Sequence, residues 1–78
     1  MVFKKVTLKD GTVVFLRQSV TLFDAVSFSK ENGMGFTQMH VASEEMRVFL
    51  DSLQKDCAVT SHQEEWDDAY ELYVKLNT

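Results

Sequence analysis

The chain has 78 residues and a mass of 9.0 kDa, with 8 Lys plus Arg against 12 Asp plus Glu, a formal net charge of −4 and a pI near 4.9. That length holds one domain, so residues 1–78 are read as a single small unit. The single Cys excludes an intrachain disulfide. No apolar run approaches the roughly 18 residues that span a bilayer, and no apolar stretch of the signal-peptide kind follows Met1–Val6, so no membrane contact and a cytoplasmic location are expected.

Residues 2–18 read as a β-hairpin, with two runs rich in Val, Phe, Leu and Thr on either side of Asp10-Gly11. That dipeptide favours a two-residue type I′ turn. The register that follows places Lys9 opposite Thr12, Leu8 opposite Val13, Thr7 opposite Val14 and Val6 opposite Phe15. Val6, Leu8, Val13 and Phe15 then form an apolar face toward the core, and Lys5, Thr7, Val14 and Leu16 a mixed outer face.

Residues 22–32 are read as a helix. Thr21 and Asp24 have capping-box spacing, Gly33 suits the position just past a helix end, and Leu22, Phe23, Ala25, Val26 and Phe28 fill one broad arc of a helical wheel. Val20, Leu22, Val26 and Phe28 also fit strand alternation; the two end signals favour the helix. Gly33-Met34-Gly35 is read as a loop and residues 36–42 as a short strand, with Met39 and Val41 on one face and Phe36, Gln38 and His40 on the other.

Residues 44–56 have the clearest helical period, with Ser43 as N-cap, Met46, Phe49, Leu50 and Leu53 as apolar stripe, and Arg47–Asp51 and Asp51–Lys55 as outer pairs. Residues 62–76 form a further helix, capped by Ser61 with Glu64 or, one residue earlier, by Thr60 with Gln63. Its stripe is Trp66, Ala69, Tyr70, Tyr73 and Leu76. The order β-β-α-β-α-α predicts an α+β domain: the N-terminal hairpin and a third short strand form a small sheet packed against three helices.

Three constellations bear on function. Cys57, His62 and His40 are the residues a thiol or metal site would use, but their spacing matches no strong ligand pattern, and Cys57 closes an apolar stripe where a free Cys behaves as a small hydrophobe. The chain has no phosphate-cradling loop and no nucleophile or zinc-protease motif, so no enzyme activity, cofactor or metal is expected. Lys4, Lys5, Lys9 and Arg17 on the hairpin would be the contacts of a nucleic-acid binder, yet the pI and the lack of a stacking pattern argue against that partner, and lysines that guard a sheet edge explain them as well. Glu64, Glu65, Asp67, Asp68 and Glu71 place five carboxylates in eight residues. They suit a basic protein partner, although the helix dipole and a Glu71–Lys75 pair account for most of them locally.

Charge is also polarised along the chain. Residues 1–39 hold five basic and three acidic side chains, and residues 40–78 hold three basic and nine acidic. A domain of this size buries only about 60% of its unfolded surface. Six Phe, two Tyr and one Trp are hard to bury together in so small a body. Phe23, Phe28, Met34 and Phe36 are therefore placed, with the five acids, among the partner-binding residues. The expected function is a non-enzymatic protein-binding module: an inhibitor, adaptor or modulator of the phage or mobile-element type, acting by steric occlusion or acidic charge mimicry. Self-association to a homodimer is also expected.

Overall fold

In a computed structural model the described residues are 1–52, 59–60 and 62–78. Strands β1 (Val2–Thr7), β2 (Val13–Gln18), β3 (Leu22–Ser29) and β4 (Gly33–His40) form an antiparallel meander. A two-residue strand, β5 (Val59–Thr60), pairs with β1, so the sheet order is β4-β3-β2-β1-β5. Among the described residues two helices complete the fold, α1 (Glu44–Ser52) and α2 (Gln63–Leu76). The α+β class stands, but the three-stranded sheet with three helices does not: residues 22–32 supply a strand and a turn instead of a helix.

The reason lies in how the sheet is covered. Phe23 and Ala25 pack with Val6, Val14, Leu16, Met39 and Met46 on the α1 side. The intervening residue Val26 packs with Trp66 and Ala69 on the α2 side, together with partly buried Phe3, Phe15, Phe28, Met34, Phe36 and Tyr73. A strand covered on both faces is apolar at nearly every position, and in sequence it resembles a buried helix. The two end signals have other uses. Asp24 is a buried acceptor within the sheet, and Gly33, at φ +73°, ends the β3–β4 turn. In that turn the Ser29 hydroxyl oxygen accepts the Glu31 and Asn32 amides, both at 3.3 Å.

The hairpin forms at the expected place but one residue out of register. Thr7 opposes Val13, Val6 opposes Val14 and Lys5 opposes Phe15. A type I′ turn needs positive φ at Asp10, and no non-glycine residue of the described chain has it. Instead the Leu8 carbonyl accepts the Gly11 amide at 3.0 Å, the Leu8 amide donates to the Thr12 carbonyl at 2.8 Å, and Gly11 takes φ +90°. This is a three-residue loop closed by a glycine bulge. The shift places Val14 and Leu16 with Val6 on the α1 face, and Phe15 with Lys5 on the α2 face, reversing the expected division of β2.

Strand β4 starts earlier than expected and absorbs Gly33-Met34-Gly35, but its faces are as read: Met39 and Val41 point to the α1 core and Phe36 to the α2 core. At α1 the Met46 amide donates to the Ser43 hydroxyl at 3.1 Å, the expected cap. Arg47 pairs with Glu44 instead of Asp51. Helix α2 begins after His62, which makes no side-chain capping bond. Leu53, Lys55, Cys57 and Ser61 lie outside the described residues.

Candidate protein-interaction surface

Helix α2 is held against the sheet by three side chains at helical spacing. Trp66 and Ala69 are buried and Tyr73 is half-buried over the floor formed by Phe3, Phe15, Phe28, Met34 and Phe36. Aromatic contacts set its position. Phe36 meets Tyr70 edge-on with centroids 5.5 Å apart, stacks with Tyr73 at 5.7 Å, and Trp66 stacks with Tyr70 at 5.8 Å.

A polar row runs beneath the N-terminal half of the helix. Arg17 on β2 opposes Asp24 on β3, which opposes Gln38 on β4. Arg17 donates from Nε at 3.0 Å and from Nη2 at 2.6 Å to Asp24 Oδ2, and Gln38 Nε2 donates to Asp24 Oδ1 at 2.8 Å. The guanidinium lies 4.8 Å from the Trp66 ring centre. Both oxygens of this buried carboxylate are satisfied and its charge is matched. Its chemistry is therefore that of a structural brace rather than of an acid, base or ligand.

The anchored side of α2 dictates what faces outward. Glu64, Asp67, Asp68 and Glu71 are exposed. Glu71 makes no ion pair with Lys75, so the local partner expected for it is absent. Exposed apolar residues stand among them: Leu72 at 43%, Val74 at 40% and Leu76 at 64% of full exposure. Glu65 behaves differently. It is half-buried, and its Oε2 is enclosed without a hydrogen-bond partner. With Asp68, Ala69 and Leu72 it forms one wall of a groove of about 600 Å³, faced by Lys5, Val13, Phe15 and Phe28. The Lys5 ammonium sits 5.6 Å from the Phe15 ring centre in the same region.

The other expected residues fall as follows. Phe23 is 1% exposed in the α1-side core, so it is removed from the partner surface. Phe28, Met34 and Phe36 are half-buried under or beside α2, on the same side as the acids. His40 is exposed at the end of β4, His62 precedes α2, and Cys57 is outside the described residues. Among the described residues no three or more His, Cys, Asp or Glu side chains gather as metal ligands. The hairpin cations do not form one patch either. Lys4 opposes Leu16 and points to the α1 side, whereas Arg17 opposes Phe3 on the α2 side and is committed to Asp24. Leu72 and Val74 were not singled out in the sequence, and Leu76, read there as part of the apolar stripe, is exposed instead. Their signal was an apolar residue at every second position near the end of α2, more than one helix face can bury.

Compared with known proteins, the chain matches no family model, no curated protein and no solved structure. Among the described residues no helix is long and apolar enough to cross a membrane.

Proposed function

We propose that this protein is a non-enzymatic protein-binding module that takes a partner with a basic surface on the outer side of α2. The contacts are Glu64, Asp67, Asp68 and Glu71, with Glu65, Leu72 and the aromatic groove beside them. One observation carries the reading: four carboxylates and three apolar side chains are exposed together on a helix whose opposite side is fixed by Trp66. Exposed apolar area interleaved with one sign of charge is what a specific contact with a complementary surface uses. The lack of an ion pair at Glu71 among the described residues adds to it, because an acid without such a counter-charge is available to one from outside. Such a module inhibits, adapts or modulates its partner by covering the basic surface or by presenting charge in place of its usual ligand.

The test is Asp68→Lys with Glu71→Lys, used as bait in parallel with the unaltered protein. Loss of a captured protein on charge reversal, with circular dichroism unchanged, supports the reading. An identical set of captured proteins sinks it.

A further inference from the structure

The two edges of the sheet are built differently. Among the described residues only the two-residue β5 lies beyond β1, and β1 itself carries Lys4 and Lys5, the kind of charge that blocks unwanted pairing. At the other edge β4 runs for eight residues, Gly33–His40, in unbroken register with β3. It contains no Lys, Arg, Asp, Glu or Pro and no bulge, so it has none of the usual devices that protect an edge.

The hydrogen-bond phase of β4 follows from two contacts. The Val41 amide donates to the Thr21 carbonyl at 3.1 Å, so residue 41 turns its backbone groups toward β3. In an antiparallel ladder this direction alternates, so Met39, Thr37, Gly35 and Gly33 also bond inward. His40, Gln38, Phe36 and Met34 then direct their amides and carbonyls outward. The His40 carbonyl is already taken by the Ser43 amide at 2.9 Å. Met34, Phe36 and Gln38 are left with outward backbone groups and, among the described residues, no neighbouring strand. Both faces beside this edge carry exposed apolar surface. On the α1 side Val48, 59% exposed, lines a groove with Thr37, Met39 and Phe49, with Glu44 and Glu45 at its rim. On the α2 side Tyr70, 39% exposed, packs against Phe36, with Val74 one turn further along the helix.

We propose that β4 pairs antiparallel with β4 of a second copy of this chain, about a two-fold axis at Phe36. That register sets Met34 opposite Gln38 and Phe36 opposite its own copy, so every outward amide and carbonyl of the three residues meets its complement. A register shifted by two sets Gln38 opposite Asn32, outside the strand, or Met34 opposite His40, whose carbonyl is already taken by Ser43. Self-pairing also suits the charge, because the strand is neutral and brings no like charges face to face. The central Phe36 pair joins two Phe36–Tyr70–Tyr73 clusters into one across the axis. A second copy is thus the occupant whose hydrogen-bond pattern and apolar margins match the edge, with the neutral strand at the seam and Glu44 and Glu45 kept to the rim of the α1-side groove.

The test combines sedimentation equilibrium with residue-resolved amide exchange on the whole chain, from micromolar to millimolar protein. The mass should rise from 9.0 kDa toward twice that value, and exchange at Met34, Phe36 and Gln38 should slow together as it does. Gln38→Pro deletes one outward donor per strand, keeps every amide that faces β3 and also loses the side-chain bond to Asp24, so it should hold the chain at 9.0 kDa while Gln38→Ala, which loses only that side-chain bond, still associates. Trp66 fluorescence checks that the proline variant is folded, and the exchange measurement on the unaltered chain needs no variant. Added salt should strengthen the association, since each copy carries −4. It should weaken capture of a basic partner by α2, so the two readings fail separately. The proposal is overturned by a mass that stays at 9.0 kDa, by a dimer whose three amides exchange as fast as loop amides, or by protection that appears only when a different protein is added.

Discussion

Arg17 donates two hydrogen bonds to one oxygen of Asp24, from Nε at 3.0 Å and from Nη2 at 2.6 Å, while the guanidinium faces Trp66 at 4.8 Å. This relationship links adjacent central strands to the helix that carries the proposed binding surface. Asp24 is 4% exposed, so its charge depends on the partners it has.

Asp24→Ala removes the counter-ion from Arg17 and the acceptor from Gln38. The Arg17 side chain is 34% exposed, so water recovers part of the loss. The expected destabilisation is about 2–3 kcal/mol, at or below the lower end of what breaking a buried pair costs. Arg17→Met with Asp24→Leu removes both charges and should lose much less than the two single changes added together. Urea denaturation followed by Trp66 fluorescence measures both.

Asp10 Oδ1 accepts the Thr12 amide at 2.9 Å, and this backbone bond holds the carboxyl below its ordinary value of 3.8. A carboxylate whose folded pKa is depressed contributes stability above its unfolded pKa and loses it as pH falls through the folded pKa. The unaltered protein should therefore lose stability relative to Asp10→Asn as pH drops from about 5 toward 2, with a constant difference at higher pH. Thermal melts of the two proteins across that range check the sign.

Gly11 sits at φ +90°, and a Cβ there would meet no atom within 4 Å. Gly11→Ala therefore introduces backbone strain without a clash, and should cost about 1–2 kcal/mol. A cost near zero in chemical denaturation would show that the loop adopts another turn.

Glu65 Oε2 is enclosed without a hydrogen-bond partner. Glu65→Met keeps the length of the side chain and removes the polar atom that lacks a mate. The variant should be as stable as the unaltered protein or more stable by about 1 kcal/mol, in contrast to the usual cost of changing a half-buried residue. Calorimetry decides the sign.

Much of the fold is legible in the sequence, and the misreadings have definite causes. Helices α1 and α2 each have one covered side, so period and polarity agree; Met46, Trp66 and Ala69 fall in the core. Strand β3 has two covered sides, and Phe23-Asp24-Ala25-Val26 is buried throughout. Such a run carries no alternation to mark it as a strand, and Asp24 and Gly33 imitate helix ends. The hairpin was legible at Asp10-Gly11, but its register was not. That dipeptide serves both a two-residue turn with Gly at its second position and a three-residue loop with Gly at its third, and a slip of one residue reverses a strand. Glu64, Asp67, Asp68 and Glu71 could be placed outward because Trp66 and Ala69 fix the helix, whereas the half-buried Glu65 could not. Phe23 was misplaced because its environment follows from β3. The unguarded edge of β4 depends on strand order, which no local pattern in residues 33–40 encodes.

Contact between a basic partner and the outer side of α2 is best read out by zero-length carbodiimide cross-linking of the unaltered protein in cell extract, followed by peptide mass spectrometry. It joins carboxylates to lysines in direct contact with them. Cross-links should run from another protein's lysines to Glu64, Asp67, Asp68 or Glu71 and be lost when salt is added before the reagent. Cross-links confined to Glu31, Glu44, Glu45 or Asp51, or none to any other protein, would contradict it.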